Sequence, residues 1–363
     1  MKKITAVLMA VLMLASCLCL SAFAADEQTV TLKIANFNVA GLPDVNNWLG
    51  KNENDISANQ EKIGQYLTAG NFDIIAVQED FTYHNYLTDN LSGFNYETKH
   101  SGSFLGGDGM NIFTKDYPLY NTQRYGWDQR SGVLEDGADD LSAKGILYSV
   151  IEIADGVYID FYNIHADAYD SEKDRAARED NFRQVSDLIE ANYKKNNRPV
   201  VIVGDFNYHF HGTTADDSNI HYYFLEKCGL EDAWVELYNG GEYTYESFDD
   251  WRATDDPNHF DHYWGRWDSV EKVMYKNGGG VNVEAVSFKY EFVEMGNGYR
   301  ASDHANAICE LKFTVTEDFV ENTQTLGGPV GQKNTMSTDL MGFFKILLKL
   351  FTNFDELLGF IGL

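Results

Sequence analysis

The sequence predicts an α/β fold, because buried strand-like runs are joined by a helical crossover and end in polar side chains. The run from Val200 to Val203 is apolar and β-branched, as in a strand buried on both faces. It stops at a Gly-Asp-Phe-Asn sequence that ends at Asn207. Open α/β sheets place their binding sites at the carboxyl ends of strands. Because other predicted strands of this chain end in the same way, we interpret these ends as a site rather than as ordinary turns.

The N-terminal part predicts a strand–helix–strand unit. Residues 30–38 alternate between apolar and polar side chains and predict a strand that ends at Asn38. A Ser-x-x-Gln capping-box pattern at 57–60 predicts the start of a helix. Residues 72–77 are apolar and predict a second strand, which delivers Glu79 at its carboxyl end.

The middle of the chain predicts a hairpin followed by a crossover. Runs at 146–153 and 157–163 flank an Asp-Gly turn signal, and the second run leads to His165. A helix is predicted from Ser171, since acidic residues crowd its first turn and two lysines its last. This helix leads to the strand at 200–203, and a helix that connects two strands in this way implies a crossover unit.

Shorter elements are predicted elsewhere in the chain. They are strands at 110–113, 260–264, 285–292 and 305–313 and a helical segment at 221–228. Residues 126–143 lack periodicity and predict a long surface loop, which in a compact domain is usually functional or mobile. The last predicted strand follows directly after Asp303 and His304.

The composition fits a large, acidic, globular domain. The 363 residues are 44% hydrophobic, which is ample for a substantial core. The formal net charge is −28, so the chain lacks the basic footprint for long-range capture of nucleic acid or an anionic membrane. An acidic protein can still hydrolyse phosphates when cations fill a carboxylate-lined cleft, so this charge balance argues for metal ions.

The N-terminus predicts export. Residues 1–24 form a signal peptide, with two lysines, an apolar run and an Ala-Phe-Ala cleavage site that ends at Ala24. A spanning anchor and a lipoprotein modification at Cys17 are the alternatives. Export permits a disulfide between Cys228 and Cys309, but two buried free thiols fit the sequence equally well.

The chain is predicted to consist of one large domain, a linker and a C-terminal helix. The domain is predicted over 27–316, a polar and Gly-rich linker over 317–339, and an amphipathic helix over 340–363. Four charges within this helix argue against a membrane span. Its apolar face predicts docking on the chain itself, on a second copy, or on a membrane surface.

Eight polar residues lie at or near the predicted strand ends. They are Asn38, Glu79, His165, Asp205, Asn207, Asp261, Asp303 and His304. Carboxylates with amide oxygens suit Mg²⁺, Mn²⁺ or Ca²⁺ rather than zinc, and histidines can contact a phosphate or move protons. Each residue alone has an ordinary explanation as a turn former, a cap or a core histidine. Together they predict metal-assisted hydrolysis of a phosphate ester.

Five short motifs carry a resemblance to a known family. They are Asn36-Phe37-Asn38, Val77-Gln78-Glu79, Tyr162-Asn163-Ile164-His165, Val203-Gly204-Asp205-Phe206-Asn207 and Ser302-Asp303-His304. In this order and spacing they resemble the endonuclease/exonuclease/phosphatase superfamily, which includes deoxyribonuclease I and secreted bacterial neutral sphingomyelinases. The resemblance covers about residues 30–315 and implies a deoxyribonuclease I-like, four-layer sandwich of two packed mixed β-sheets flanked by helices.

The resemblance also implies a metal site. Glu79 resembles the principal ligand, with Asn38 beside it and Asp303 as a further ligand. The expected cofactor is Mg²⁺, with Mn²⁺ or Ca²⁺ as alternatives.

Catalytic roles follow from the same resemblance. Asp205 resembles the group that orients or deprotonates the attacking water, and Asn207 the group that hydrogen-bonds the phosphate. His165 resembles the histidine on the phosphate oxygens or the leaving group. His304 resembles the second catalytic histidine, with Asp261 as its carboxylate partner.

The favoured substrate is a phospholipid head group, as in a sphingomyelinase C. The segment around Lys144 resembles a substrate-side segment of neutral sphingomyelinases, and His209 is predicted as a second substrate contact, although it also fits a plain loop residue. Export, an aromatic content of 14% and the amphipathic tail fit a monomer that touches a membrane surface.

Other functions stay open at this point. A secreted endonuclease could use Lys99, Arg124, Arg130 and Lys144 on DNA or RNA, although a stable nucleic-acid partner is not expected. Phosphomonoester removal is a further alternative, as is a non-catalytic domain that binds a surface partner.

Overall fold

The structure is a computed structural model that describes most of the predicted domain. The described residues are 28–42, 55–103, 106–131, 143–169, 171–208, 221–238, 240–241, 269–296, 298–320, 326 and 328–330. The predicted signal peptide, the strand at 260–264 and the tail at 340–363 lie outside these residues.

Two six-stranded sheets form the centre of the molecule. The first sheet, in spatial order β11-β12-β1-β2-β4-β3, contains β1 (Thr29–Asn38), β2 (Ile74–Gln78), β3 (Tyr96–Glu97), β4 (Asn111–Thr114), β11 (Val281–Glu291) and β12 (Asn306–Val315). The second, in spatial order β5-β6-β7-β8-β10-β9, contains β5 (Leu119–Gly126), β6 (Gly145–Ala154), β7 (Val157–His165), β8 (Val200–Asp205), β9 (Glu231–Asp232) and β10 (Glu271–Lys276).

Helices cover the outer faces of the sheets. They are α1 (Ile56–Ala69), α2 (His84–Thr88), α3 (Glu172–Asn196) and α4 (Ala233–Tyr238), together with a π-helical segment (His221–Lys227). Helix α1 joins β1 to the parallel strand β2, and α3 joins β7 to the parallel strand β8. The other strand pairs are antiparallel, so both sheets are mixed. The α/β prediction and its four layers are confirmed.

Alternation along β1 separates two parts of the core. Leu32 and Ile34 are fully buried in the cluster that also contains the second sheet, whereas Phe37 packs with α1 on the opposite face. Helix α3 buries Phe182 and Val185 against the second sheet. The site therefore rests on strands that are fixed on both faces.

Helix starts depend on local hydrogen bonds. The Ser171 hydroxyl accepts from the amide of Asp174, whose carboxylate accepts from the Ser171 amide, so α3 begins with a capping box. The predicted box at 57–60 is wrong, because the Asp55 carboxylate caps α1 by accepting from the amide of Ser57 at 3.0 Å. Gln60 is instead buried and donates to the Val39 carbonyl at 2.6 Å.

Contact with the domain extends beyond the predicted boundary at 316. Phe319, Leu326 and Val330 pack against the core, and the Val330 amide donates to the Leu119 carbonyl at 2.6 Å. Within the predicted linker, Val330 therefore pairs with Leu119 of β5. Cys228 and Cys309 are buried free thiols, so the disulfide alternative does not hold. Within the described ranges, no helix is long and apolar enough to cross a membrane.

Gly204 permits the close approach of β7 and β8. A Cβ at this position would lie 2.1 Å from the Ile164 carbonyl oxygen, and the Gly204 φ is +153°. We expect Gly204→Ala to lower the free energy of unfolding by about 1–3 kcal/mol, measured by urea denaturation, because the two strands must move apart. Gly126→Ala is the matched control, since no atom lies within 4 Å of its Cβ position. Equal unfolding midpoints for the two variants would contradict this prediction.

Candidate active site

The carboxyl ends of the two parallel strand pairs meet at one cleft. Asn38, His165 and Asp205 are the last residues of β1, β7 and β8, and Glu79 directly follows β2. The cleft has a volume of about 490 Å³. The polar side chains that line it are Glu79, Lys144, His165, Asp205, Asn207, Asp303 and His304. The first and the second sheet thus each contribute part of the site.

Buried amides align the two sheets beneath the cleft. Gln78 donates to the side-chain oxygens of Asn36 at 2.9 Å and Asn163 at 2.7 Å. Asn36 on β1 donates to the Gly204 carbonyl of β8 at 2.9 Å, and Asn163 on β7 donates to the Val77 carbonyl of β2 at 2.9 Å. These cross-sheet bonds lie one to two residues before the site residues, so they fix the relative height of the four strand ends. The sequence motifs contain these amides, but our sequence reasoning gave them no role.

Asn38 connects the two carboxylates at the centre. Its amide nitrogen donates to Glu79 Oε1 at 3.1 Å and to Asp205 Oδ2 at 2.9 Å. Its own oxygen accepts from the Ala40 amide at 3.0 Å, and Ser302 Oγ donates to its carbonyl at 2.7 Å. Asn38 is therefore held from both sides and sets the spacing of Glu79 and Asp205.

Glu79 occupies a strained backbone position and faces the cleft. Its φ is +57°, which is uncommon for a side chain of this kind, and its side chain is 14% exposed. Burial raises the pKa of Glu79 and outweighs the opposing charges of His304 and Lys144. A carboxylate in this position gains stability from a cation placed beside it.

Asp205 is the more deeply buried of the two carboxylates. Its Oδ1 accepts from the amide of Asn207 at 2.8 Å. Burial raises the pKa of Asp205 and outweighs the opposing charge of His304, while the neighbouring Glu271 acts in the same direction as burial. An Asp with a raised pKa at a fixed strand end is suited to accept a proton from a water.

His304 is paired with a carboxylate that sequence reasoning missed. Its Nδ1 donates to Oε1 of Glu271 at 2.5 Å, and Nδ1 lies 3.9 Å from Asp205 Oδ2. Burial alone would lower the pKa of His304, but Glu271 and Asp205 hold it well above its usual value. Glu271 is the first residue of β10 and pairs in register with Asp205. The position that the sequence analysis gave to Asp261 is thus filled by Glu271, and Asp261 itself lies outside the described residues.

His165 faces the same carboxylate oxygen of Asp205 as His304 does. Its Nε2 is 3.5 Å from Asp205 Oδ2 and 3.9 Å from Glu79 Oε1. Trp127 donates its indole N–H to the His165 carbonyl at 2.7 Å. Burial holds the pKa of His165 well below its usual value, and the charges of Lys144 and His304 act in the same direction. The pKa values of the two histidines are therefore shifted in opposite directions, His304 towards the cationic form and His165 towards the neutral form, which favours different chemical roles.

The remaining predicted residues take different places. Asp303 is exposed at the rim, Lys144 is 6% exposed, and both line the cleft. The side chain of Asn207 donates from Nδ2 to the Ala166 carbonyl at 3.1 Å, and this residue has a φ of +50°. His209 lies outside the described residues.

The donor set fits a hard divalent cation. Glu79 and Asp303 present carboxylate oxygens to the cleft, and burial disfavours the ionised Glu79 unless a positive charge lies beside it. The candidate ligands are thus Glu79 and, at the rim, Asp303. Asn38, which the sequence predicts as a ligand, instead turns its nitrogen to Glu79 and its side-chain oxygen to the Ala40 amide.

A comparison with protein families matches residues 35–304 to the Endonuclease/Exonuclease/phosphatase family. The chain belongs to this family. The match begins in β1 and ends at His304, so it contains each strand end described above. Membership of the Endonuclease/Exonuclease/phosphatase family indicates a phosphate ester hydrolase, and it agrees with the resemblance that the five motifs carry.

Curated relatives within this family are sphingomyelinases. Those of Mycobacterium bovis and Mycobacterium tuberculosis are 27% identical over 257 residues, which is 68% of this chain and 46% of theirs. The chain therefore spans less than half the length of the curated relatives it matches.

Several solved structures share the fold. A humanized TDP2 of D. rerio superposes with a TM-score of 0.54 and 16% identity, covering 77% of this chain and 98% of that chain. A mutant beta toxin of Staphylococcus aureus with bound magnesium ions has a TM-score of 0.51 and 19% identity, covering 77% and 99%. These likenesses support the deoxyribonuclease I-like architecture.

Proposed function

We propose that the chain is an exported, Mg²⁺-dependent phosphodiesterase that cleaves a phospholipid with a cationic head group, in the manner of a sphingomyelinase C. The observation that carries this proposal is the composition of the cleft. Glu79, Asp205 and Asp303 make it acidic, and the aromatic ring of Tyr169 lies exposed at its lining. A phosphate bound to a metal ion and a quaternary ammonium beside a ring and a carboxylate both fit this surface.

Tyr169 is held at the cleft by the backbone. Its φ is +63°, and Arg178 of α3 donates to its carbonyl at 2.6 Å and to the Asp167 carbonyl at 3.1 Å. The side chain remains 56% exposed. A rigidly placed, exposed aromatic ring beside a catalytic cleft is suited to bind a cation over its face.

The catalytic residues divide the reaction between them. When bound, Mg²⁺ would neutralise the phosphate and stabilise charge on the leaving oxygen. Asp205, fixed by Asn38 and Asn207, accepts a proton from the water that attacks in line with the ester bond. His304, cationic through Glu271, donates to a phosphate oxygen. His165, in its neutral form, lies at the same cleft and can contact the phosphate.

A nuclease is the second candidate, and the basic residues argue against it. Arg124 donates to Asp108 at 2.5 and 2.6 Å and to the Met110 carbonyl at 2.9 Å, so its guanidinium is not directed to a phosphate backbone. Among the described residues that line the cleft, Lys144 is the only ammonium or guanidinium group. A duplex would need several such groups along its phosphates.

The proposal is tested by substrate choice. The full chain with Mg²⁺ is assayed against sphingomyelin vesicles, plasmid DNA and bis-p-nitrophenyl phosphate, with Asp205→Asn as the blank. Release of phosphocholine that depends on Asp205 supports the proposal. Nicked plasmid with intact lipid would instead establish the nuclease.

Removal of the metal is expected to abolish activity reversibly. Without a cation, the carboxylates of Glu79 and Asp205 face the negative phosphate directly, and no positive charge stabilises the leaving oxygen. Turnover in EDTA should therefore fall by at least about 10²-fold. Added Mg²⁺ should restore it, as magnesium binds the similarly folded beta toxin. Full activity in excess EDTA would refute the metal requirement.

Tyr169→Ala is expected to raise KM for sphingomyelin about 3- to 30-fold, since a desolvated cation–π contact contributes up to about 2 kcal/mol. The same variant should keep its activity on bis-p-nitrophenyl phosphate, which has no cationic head group. Tyr222→Ala is the matched control, because Tyr222 is equally exposed, at 53%, and does not line the cleft. Equal losses on both substrates would contradict a head-group role.

Export and membrane contact are part of the proposal. Cleavage after Ala24 is measured by N-terminal sequencing of protein from the culture medium. Removal of 340–363 should lower activity on vesicles while activity on the soluble diester stays unchanged. Equal activity of the shortened chain on vesicles would exclude the tail as a membrane anchor.

A further inference from the structure

A second cluster of metal-ligating side chains lies behind Glu79 and outside the cleft. Asp80 is the next residue along the chain, His84 is the first residue of α2, and His100 follows β3. They are buried, with exposed fractions of 1%, 4% and 1%. The cluster therefore joins three separate segments around the end of β2.

The geometry of the cluster is compact. His84 Nδ1 lies 2.7 Å from Asp80 Oδ2, and His100 donates from Nε2 to the Asp80 carbonyl at 3.0 Å. The two imidazole rings stack with centroids 4.0 Å apart. One ligand atom from each of the three residues lies within 4.8 Å of the other two.

Two buried polar atoms in this cluster have no hydrogen-bond partner among the described residues. They are Asp80 Oδ1 and His100 Nδ1. An unsatisfied buried polar atom typically costs about 1–3 kcal/mol, so two in one cluster call for an explanation. His100 carries its proton on Nε2, which donates to a carbonyl, so in the neutral ring Nδ1 presents a lone pair.

We propose that Asp80, His84 and His100 bind a second divalent cation, and that this cation is Zn²⁺. Two imidazoles and one carboxylate are a zinc ligand set, whereas Mg²⁺ prefers oxygen ligands alone. The two unpartnered atoms, Asp80 Oδ1 and His100 Nδ1, would bind the zinc ion together with His84. A water can serve as the fourth ligand of a tetrahedral site. His84 Nδ1 lies 2.7 Å from Asp80 Oδ2, closer than the roughly 3.3 Å between two ligand atoms of one zinc ion. Binding therefore requires His84 to lose its Nδ1 proton and to move about 0.6 Å from that oxygen.

The position of the site gives it a structural role next to the catalytic metal. The Asp80 amide donates to the Gly109 carbonyl at 2.8 Å, and Asn111 donates to Asp80 Oδ2 at 2.7 Å. A cation here ties the end of β2 to α2 and to the segment around β3. The site thereby supports the strained backbone of Glu79, without contact to the substrate.

Metal content tests this proposal. The full chain is purified, passed over a chelating resin and measured by elemental analysis. We expect about one zinc per chain in the wild type and in Glu79→Gln, which removes the main cleft ligand, and a loss of at least 80% of it in His100→Gln. Replacement by Co²⁺ should give visible absorption bands of a tetrahedral site in the wild type and in Glu79→Gln, but not in His100→Gln.

A second measurement uses only the wild-type chain, so it remains informative if His100→Gln fails to fold. The wild-type chain is stripped of metal and titrated with Zn²⁺ or Mg²⁺ while its Tm is followed. Micromolar Zn²⁺ should raise the Tm by several degrees, whereas Mg²⁺ at that concentration should not. A wild-type chain that holds no zinc and shows no Tm response would overturn the proposal. His84 and Asp80 would then share a proton rather than a metal ion. Zinc retained in His100→Gln but lost in Glu79→Gln would also overturn it.

Discussion

Asp205→Asn is expected to reduce kcat by about 10³-fold or more, because it removes the carboxylate that accepts the proton of the attacking water. The amide is isosteric, so the strand end keeps its shape. In the wild type, Asn38 Nδ2 and the backbone N–H of Asn207 both donate to the Asp205 carboxylate. In the variant, one of these two donors will face an NH₂ group. The measurement is single-turnover hydrolysis of the soluble diester at saturating Mg²⁺.

The same substitution should leave the metal-free protein at least as stable. The pKa of Asp205 is raised by burial, so its ionisation is less favourable in the folded chain than in the unfolded chain. For a carboxylate with a raised pKa, stability falls as the pH rises from the unfolded value to the folded one. Removal of the charge abolishes this loss, and the Tm in EDTA at pH 7 should be unchanged or higher.

Asp160→Asn is the matched control for Asp205. Asp160 is also fully buried, at the far end of the β7–β8 pair, and accepts from Arg198 at 3.1 Å and Tyr148 at 2.8 Å. Loss of this ion pair should lower the Tm while kcat of the folded enzyme is kept. A kcat loss of similar size in both variants, or a clear fall in the Tm of Asp205→Asn, would contradict the assigned roles.

Glu271→Gln is expected to reduce kcat about 10²- to 10³-fold, since Glu271 holds the charge and orientation of His304. The pKa of His304 is raised in the wild type, so its cationic form is present at neutral pH and is lost as the pH rises through the folded pKa. Without Glu271 this pKa falls. The alkaline limb of the kcat/KM profile should therefore move to lower pH in the variant.

Glu284→Gln serves as the control for Glu271. Glu284 forms an ion pair with Lys312 at 2.8 Å on the surface of the first sheet, with side chains 60% and 39% exposed. Its removal should leave kcat and the pH profile unchanged. If Glu271→Gln retained the wild-type alkaline limb, the carboxylate would have no role in the charge of His304.

Strand ends were the part of the site that the sequence could predict. Asn38, Glu79, His165 and Asp205 follow apolar runs whose length and β-branching mark the strands, and carboxyl ends of parallel strands meet at one edge. The structure brings these four residues together, as expected. The family resemblance supplied their roles, and the fold of two packed sheets followed from it.

Glu271 was missed because its strand does not look like one. Strand β10 begins with Glu271 and Lys272, both 1% exposed, and two adjacent charges hide the apolar pattern that identifies a buried strand. Only tertiary partners make these charges tolerable, and such partners are not visible in one sequence. The amides Asn36 and Gln78 were missed for the same reason, since their partners lie on the other sheet.

The pairing of the first and last strands has a consequence for the timing of activity. Strand β1 lies between β2 and β12, and His304 stands just before β12, about 270 residues after the start of β1. A chain synthesised from its N-terminus cannot bring His304 to Asp205 until the last strand has been made and has inserted beside the first. The complete cleft therefore forms only after almost the whole domain has been synthesised, and a fragment that ends before β12 lacks the strand that positions His304.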